Sequence, residues 1–160
     1  MTKDTRVICG FPGVGKTYCV NNNDSDLVII DSDSSLFSWE YDENGNKTNV
    51  RNKDFPNNYI GYIKENIGKV DIIFVSTHNE VIKALNEHKI KHAIIYPNLL
   101  TTCKYTWINR YVERGSEKEF VDLMIENFYT YIMDIENDVG EYSILHPIED
   151  DEWISDIIFN

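Results

Sequence analysis

The strongest constraint on the fold of this chain is a short segment, residues 10–17, with the sequence GFPGVGKT. It matches the pattern G-x-x-x-x-G-K-[ST], and it lies between an apolar run at residues 6–9 and a stretch at 17–20 that can start a helix. Glycines let the backbone of such a loop turn its N–H groups toward one point, where they surround a phosphate. The N-terminus of the following helix adds a partial positive charge. The segment therefore predicts a strand–loop–helix unit that binds a nucleoside triphosphate.

The side chains of this loop have distinct predicted roles. We expect Lys16 to reach the β- and γ-phosphates and the hydroxyl of Thr17 to bind Mg²⁺, which makes ATP and Mg²⁺ the expected cofactors. A glycine turn without a ligand is the alternative, but the strand before the motif and the helix after it argue against that alternative. The residues predicted to contact the nucleotide are Gly10, Pro12, Gly13, Val14, Gly15, Lys16 and Thr17.

Beyond the loop, apolar runs and helical periodicity alternate along the chain. Continuous apolar runs predict strands at residues 27–30, 70–75, 92–96 and 141–145. Apolar residues at steps of three and four predict helices at 59–67, 80–88, 99–112 and 117–135. Residues 41–58, rich in Asn, Asp and Gly, are expected to form an excursion from the core. Strands joined by helices predict an α/β fold with a parallel sheet in a single domain, residues 1–160, and ligands at the carboxyl ends of the strands.

Charge is distributed unevenly along the sequence. The net charge of −12 comes from residues 119–160, which contain 12 Asp and Glu and no Lys or Arg. We expect this acidic segment to form a solvated helix face and a tail, and its charge argues against a nucleic-acid polymer as partner. The apolar runs are too short to span a bilayer, no leader is visible, and three cysteines without C-x-x-C spacing fit reduced thiols. A cytoplasmic protein with no membrane partner is therefore expected.

A second polar cluster, residues 31–35 with the sequence DSDSS, follows the predicted strand at 27–30. In a parallel sheet with a phosphate loop, the strand neighbouring the first one ends beside that loop, so the turn after it is expected to face the transferable phosphate. Asp31 is a candidate to hold a water molecule of the Mg²⁺ ion, and Asp33 is a candidate to orient or deprotonate an acceptor hydroxyl. The alternative is a turn that caps the next helix.

Several segments together carry a resemblance to a known group of enzymes. They are GFPGVGKT at 10–17, the apolar strand that ends in Asp31-Ser32-Asp33, FPNNYI at 55–60, VSTH at 75–78, Tyr-Pro at 96–97 and the pair in Arg110-Tyr-Val-Glu-Arg114-Gly. The chain resembles the small P-loop kinases of the nucleoside monophosphate kinase and shikimate kinase group. It resembles more closely the short nucleotide kinase proteins encoded by phages of low-GC Gram-positive bacteria, over most of residues 6–120.

The resemblance implies a fold and further site residues. The implied fold is a P-loop NTPase three-layer sandwich whose five-stranded parallel sheet has the order 2-3-1-4-5, with an acceptor-binding excursion at about 41–58 and a lid at about 99–116. Arg110 and Arg114 are implied as lid arginines that close over the triphosphate and neutralise its developing charge. Surface ion pairs are the alternative for both arginines. Arg51 is the candidate to hold an acceptor phosphate, against a plain solvated loop residue.

The sequence departs from this group at the end of the predicted strand at 70–75. No Asp follows that strand, so Asp31 is the better candidate for the Mg²⁺ site, and no glycine cluster follows it, which argues against shikimate itself. Ser76, Thr77 and His78 stand there instead. His78 is a candidate substrate contact or acid–base group, although a lone histidine is more often structural.

These features predict an enzyme, a phosphotransferase that moves a phosphoryl group from ATP to a small molecule. A nucleoside monophosphate is the leading acceptor. A hydroxyl acceptor with Asp33 as base is one alternative, and a non-catalytic phage-type protein that binds or sequesters nucleotides is another. Because the resemblance is to phage proteins, the expected compartment is then the host cytoplasm. The sequence leaves the choice between ATP and GTP and the oligomeric state open.

Overall fold

The computed structural model describes residues 2–159, with seven strands and seven helices in that range. The strands are β1 (Arg6–Gly10), β2 (Ile29–Asp31), β3 (Trp39–Tyr41), β4 (Lys47–Arg51), β5 (Ile72–Val75), β6 (His92–Pro97) and β7 (Ser143–Ile148). The helices are α1 (Lys16–Asn21), α2 (Ser35–Ser38), α3 (Asn57–Asn66), α4 (Asn79–Glu87), α5 (Lys104–Glu113), α6 (Lys118–Asn137) and α7 (Ile154–Ile158).

Five strands form one parallel sheet in the order β2-β5-β1-β6-β7. The α/β class and the five-stranded parallel sheet are therefore confirmed. The order written in strand labels differs from 2-3-1-4-5, because β3 and β4 come between β2 and β5 along the chain and pair only with each other. If only the five parallel strands are numbered, in chain order, their order across the sheet is 2-3-1-4-5.

The central strands are the most deeply buried part of the molecule. All four residues of β5 are buried, as are the last four of β1, which is the pattern of parallel strands covered on both faces. The helices that cover the sheet present one apolar side to it, as in α4, where Val81, Ile82, Ala84 and Leu85 are buried. The buried side chains form one apolar cluster, and this cluster holds the carboxyl ends of β1, β2 and β5 at a common edge.

Three parts of the chain differ from the sequence prediction. Strands β3 and β4 form an antiparallel hairpin where we expected an irregular excursion, and α5 begins at Lys104 after a turn at 98–102. Strand β7 continues through Pro147 to Ile148, because it is the outer strand and a proline without an N–H is tolerated at a sheet edge. Helix α7 was not predicted.

Within residues 2–159, none of the helices has both the length and the apolar character that crossing a bilayer requires.

Candidate functional site

The phosphate loop, residues 10–17, joins β1 to α1 at the carboxyl edge of the sheet. Gly13 and Gly15 have φ angles of 90° and 97°, a left-handed region that favours glycine. Space is also short at both positions. A Cβ atom on Gly13 would lie 2.8 Å from the Tyr111 ring, and one on Gly15 would lie 3.0 Å from the Trp153 ring. Backbone conformation and aromatic packing therefore both require glycine here.

Three successive carbonyl groups of the phosphate loop are held by donors from distant parts of the chain. The pairs, donor first, are Tyr111 Oη to Pro12 O at 2.7 Å, Arg110 Nη1 to Gly13 O at 2.9 Å, and Ile154 N to Val14 O at 2.8 Å. In a trans peptide, the C=O of one residue and the N–H of the next point in opposite directions. These contacts therefore turn the N–H groups of Gly13 and Gly15 to the opposite side, where neither donates to another residue within 2–159. Unpaired N–H groups on one side of a loop are what an anion site needs.

Lys16 lies at the start of α1, and its side chain folds back over the loop. Its Nζ donates to Gly10 O at 2.6 Å, and a Cβ atom on Gly10 would lie 2.7 Å from the Lys16 Cδ. Burial lowers the pKa of the Lys16 ammonium, the positive charge of Arg114 lowers it further, and the carboxylates of Asp31 and Asp33 oppose that shift. The predicted phosphate contacts and the predicted carboxylates therefore surround one ammonium group.

Thr17 and Asp31 are in direct contact although they belong to α1 and β2. The Thr17 hydroxyl donates to Asp31 Oδ2 at 3.0 Å, and both side chains are exposed. Oxygen ligands of this kind suit Mg²⁺, which keeps several waters and takes further oxygens from substrate phosphates. Residues 2–159 contain no group of three or more His, Cys, Asp and Glu side chains that would form a complete protein cage for a metal. The pair therefore fits a Mg²⁺ ion that is held partly by the nucleotide.

The turn after β2 is fixed by the buried Ser32. Its hydroxyl donates to Phe74 O on β5 at 2.5 Å and lies 2.7 Å from the Tyr59 hydroxyl. Asp31 and Asp33, on either side of Ser32, are both exposed. Asp33 Oδ1 accepts the N–H of Ser35 at 2.9 Å, while Ser34 is the N-cap of α2 and makes no side-chain capping bond. The second oxygen of Asp33 accepts no bond from another residue within 2–159. Asp33 therefore stabilises the turn and keeps one oxygen free.

The two predicted lid arginines have different surroundings. Arg110 Nη2 donates to Asp150 O at 2.6 Å and to Glu152 O at 3.2 Å, and its guanidinium lies between the rings of Trp107 and Trp153. With Nη1 on Gly13 O, the terminal nitrogens of Arg110 bind backbone carbonyls that support the phosphate loop.

Arg114 is exposed and less constrained. Its Nε donates to Ser116 Oγ at 2.7 Å, and its Nη groups donate to no residue in the part of the chain that the structure describes. The guanidinium carbon lies 5.1 Å from the centre of the Tyr111 ring and 5.4 Å from that of the Phe120 ring. Arg114 therefore has donors available for a phosphate, whereas the terminal donors of Arg110 are already in use.

Of the predicted acceptor residues Arg51 and His78, Arg51 already has a partner. Its Nη2 forms an ion pair with Glu80 Oε1 at 3.1 Å, and its guanidinium lies over the Trp39 ring at 5.0 Å. His78, just before α4, is influenced by several of these groups. Although His78 is exposed overall, desolvation of its imidazole lowers the pKa. The positive charges of Lys16 and Arg51 lower that pKa further, and the negative charges of Glu80 and Asp33 raise it.

A cavity of about 220 Å³ opens beside Lys16. It lies between the start of the phosphate loop at 10–12, the segment 76–79 that follows β5, and one face of α6. Its surface is mostly apolar, and His78 is the predicted acceptor residue that lines it.

Residues 149–154 have a structural role that was not predicted from the sequence. We expected the acidic segment to be solvated, but the carboxylate of Asp150 accepts bonds from Trp107 Nε1, Cys103 N and the Thr102 hydroxyl. Burial alone would raise the pKa of Asp150, but these hydrogen bonds and the charge of Arg110 bring it below its ordinary value. A Trp and an Ile directly after a run of carboxylates, as in DDEWI at 150–154, were the one available signal.

No protein-family model matches this chain, and no curated protein has a sequence similar enough to count as a relative.

Proposed function

We propose that this protein is an ATP-dependent phosphotransferase that acts on a small molecule. The observation that carries the proposal is the anchoring of the Pro12 and Val14 carbonyls, which leaves the N–H groups of Gly13 and Gly15 without an acceptor within residues 2–159. The Thr17–Asp31 contact supports it, because it supplies the oxygen ligands that a nucleotide-bound Mg²⁺ needs. In this proposal the fold is a P-loop NTPase sandwich, and the likeness to phage nucleotide kinases is part of the proposal.

In this proposal the residues of the site have different roles. The loop N–H groups and Lys16 bind the phosphates, and Arg114 neutralises charge on the transferred phosphoryl group. Mg²⁺, held through Thr17 and Asp31, would neutralise charge on the β- and γ-phosphates. Arg110 stabilises the conformation of the loop through its hydrogen bond to the Gly13 carbonyl and does not contact the phosphates. Catalysis of this kind consists mainly of positioning and electrostatic stabilisation.

The acceptor can be a nucleoside monophosphate or a hydroxyl compound. The resemblance favours the nucleoside monophosphate, for which Arg51 was the predicted phosphate contact. One structural observation favours the hydroxyl compound. Arg51 already pairs with Glu80, so part of its charge is compensated before any acceptor arrives. Asp33, with one free carboxylate oxygen, is then available as a base.

The proposal is tested by binding and turnover together. We expect the wild-type protein to bind ATP in the presence of Mg²⁺ and to transfer label from γ-labelled ATP to a member of a panel of nucleotides, nucleosides and small alcohols. Lys16→Ala should abolish transfer without unfolding the protein, because the lysine side chain crosses the loop and contributes little to the core. Lys83→Ala, on α4 and away from the loop, is the matched control and should leave transfer unchanged.

Two results would contradict the proposal. One is wild-type transfer by Lys16→Ala, and the other is a wild-type protein that binds no nucleoside triphosphate. Binding of ATP without transfer to any acceptor would instead favour the non-catalytic nucleotide-binding protein.

A further inference from the structure

The cavity beside Lys16 has a composition that restricts what it can bind. Its walls come from residues 10–12, residues 76–79 and α6, and α6 contributes the apolar side. The α6 residues in the wall are Phe120, Leu123, Met124, Tyr131 and Ile135. Small-molecule sites are typically apolar with a few well-placed polar groups. At about 220 Å³ the volume is below the roughly 300–1,000 Å³ that is usual for such sites, which favours a small ligand.

The cavity carries little charge. Lys16 is the one Lys, Arg, Asp or Glu in its described wall, and in the proposed function that lysine serves the phosphates of ATP. The lowered pKa of the exposed His78 imidazole favours its neutral form, and Arg51 lies outside the wall and pairs with Glu80. A phosphate group on the acceptor would therefore stand close to the γ-phosphate of ATP without a cation of its own. Like charges placed together in a partly buried site repel strongly.

One polar atom in the wall lacks a partner. The hydroxyl oxygen of Ser76 is buried, and within residues 2–159 it is the buried side-chain nitrogen or oxygen that makes no hydrogen bond. Leaving a buried hydroxyl unpaired costs about 1–3 kcal/mol. Ser76 follows β5 directly, at the same edge of the sheet as the phosphate loop. A hydroxyl on a ligand in the cavity would supply the missing partner.

We propose that this cavity binds the phosphoryl acceptor, and that the acceptor is a small uncharged alcohol with an apolar or aromatic body. The inference rests on the proposed function, because it takes ATP as the donor. The acceptor body packs against α6, and its hydroxyl end lies between Ser76 and the phosphate loop. Thr77, His78 and Asn79 form a polar part of the cavity wall.

The reaction then follows from the groups present. The acceptor hydroxyl oxygen forms a bond to the γ-phosphorus, and the bond from that phosphorus to the oxygen bridging to the β-phosphate breaks. ADP leaves with the electron pair of the broken bond. The hydroxyl proton goes to a carboxylate next to the cavity and from there to water. We assign this role to Asp33, which is outside the described wall but whose charge acts on both Lys16 and His78. The products are the phosphate monoester of the alcohol, ADP and a proton.

Cavity variants test the inference, with ATP binding measured beside transfer. Leu123→Trp enlarges a side chain of the wall, whereas Met133→Trp makes a comparable change on the same helix outside the wall. Leu123 and Met133 are both partly exposed, so neither change should unfold the protein. Ser76→Ala removes the unpaired hydroxyl. Each variant is assayed with γ-labelled ATP against nucleosides and other uncharged alcohols, and against the matching monophosphates.

We expect uncharged alcohols to accept the label and the matching monophosphates to fail. Leu123→Trp should raise the acceptor KM at least about tenfold, which is about 1.4 kcal/mol, while the Kd for ATP changes little. Ser76→Ala should raise the acceptor KM by roughly two- to tenfold, as the loss of one neutral hydrogen bond does. Met133→Trp should behave as wild type.

The inference and the proposed function can fail separately. If the wild-type protein binds no ATP, the proposed function fails, and the inference fails with it. If it binds ATP and transfers label to monophosphates in preference to alcohols, only the inference fails. If it binds ATP and transfers label to no acceptor at all, both fail. An unchanged acceptor KM in Leu123→Trp would also overturn it, because the acceptor would then bind elsewhere.

Discussion

The guanidinium carbon of Arg110 lies 3.7 Å from the centre of the Trp153 ring and 4.1 Å from that of Trp107. The same guanidinium donates to the carbonyl of Gly13 in the phosphate loop and to the backbone of residues 150 and 152. The stacking fixes the plane of the guanidinium, and the hydrogen bonds use the donors in that plane. Arg110 thus connects the loop, α5 and the segment before α7 into one unit.

Replacing Arg110 should therefore lower the stability of the protein and its affinity for ATP, because the phosphate loop loses a support. Arg110→Ala leaves three carbonyls without their charged donor, and we expect the free energy of unfolding to fall by about 2–3 kcal/mol. Arg110→Lys keeps the charge but loses the planar fork, so we expect the Kd for ATP to rise about tenfold even where the fold is retained. Denaturant unfolding and calorimetric titration with ATP measure the two effects. A variant with wild-type stability and wild-type ATP affinity would return Arg110 to the lid role predicted from the sequence.

Replacing Arg114 should lower kcat more than stability, because its Nη groups donate to no residue within 2–159. In Arg114→Ala we expect kcat to fall by more than about tenfold while the Kd for ATP changes by less, since a contact to developing charge strengthens in the transition state. Stability should change little, because the side chain is exposed. Steady-state kinetics beside Arg110→Ala provide the comparison. If kcat is unaffected, Arg114 is a surface residue.

The Thr17–Asp31 contact predicts a magnesium dependence. Asp31→Asn can still accept the bond from the Thr17 hydroxyl but loses its negative charge. We expect the Mg²⁺ concentration for half-maximal activity to rise by about 10–100-fold, the usual cost of changing a group that holds or orients metal ligands. Activity is measured over a Mg²⁺ series at saturating ATP. Asp33→Asn is the control, and an equal shift in that variant would mean that general charge, and not the contact with Thr17, sets the metal affinity.

Asp33 and Arg51 distinguish the two kinds of acceptor. If the acceptor is a hydroxyl compound, Asp33→Asn should lower kcat by about 10²–10⁴-fold with little effect on ATP binding, because it removes the base. Arg51→Ala should then have a small effect. If the acceptor carries a phosphate, Arg51→Ala should raise the acceptor KM strongly and Asp33→Asn should act mainly on KM. Wild-type behaviour of both variants would place the acceptor site elsewhere.

Stability should depend on pH through the buried His92. Its Nδ1 lies 2.7 Å from Ile90 O and its Nε2 lies 2.6 Å from the Ser143 hydroxyl, so the neutral ring donates to the carbonyl and accepts from the serine. Burial lowers the pKa of His92 in the folded protein below its ordinary 6.5. As pH falls through 6.5, the unfolded chain binds a proton before the folded one does, so the free energy of unfolding decreases. Above 6.5 both states are neutral and the dependence disappears.

Denaturant unfolding between pH 5 and 8 measures this contribution. His92→Gln can keep a donor toward Ile90 and an acceptor toward Ser143 without titrating. We expect this variant to lose part of the fall in stability below pH 6.5. If its pH profile is parallel to that of the wild type, His92 does not contribute to the dependence.

The sequence predicted the parts of the site that depend on local pattern. Residues 10–17 had to form a turn of this kind because both the glycine positions and the flanking strand and helix are local signals. The parallel sheet followed from alternating strands and helices, and it placed Asp31 beside Thr17 because parallel strands end at a common edge.

What could not be predicted depends on contacts between distant residues. The use of the Arg110 donors is set by residues 13, 150 and 152, and no periodicity in the sequence links them. The ion pair between Arg51 and Glu80 depends on where the hairpin β3–β4 lies against α4. Residues 149–154 appeared to be solvent-exposed because of their charge, but hydrogen bonds from Thr102, Cys103 and Trp107 compensate the carboxylate of Asp150.

The bond from the Ile154 N–H to the Val14 carbonyl has a consequence for biosynthesis. A ribosome makes the phosphate loop at the beginning of the described chain, but it makes the donor that fixes Val14 only after nearly all of the described residues have been joined. A nascent chain that has emerged as far as α6 contains the complete loop sequence and lacks this support. If the protein binds a nucleotide as proposed, capture should wait until residues 150–154 have left the exit tunnel and should not begin when the motif itself first appears.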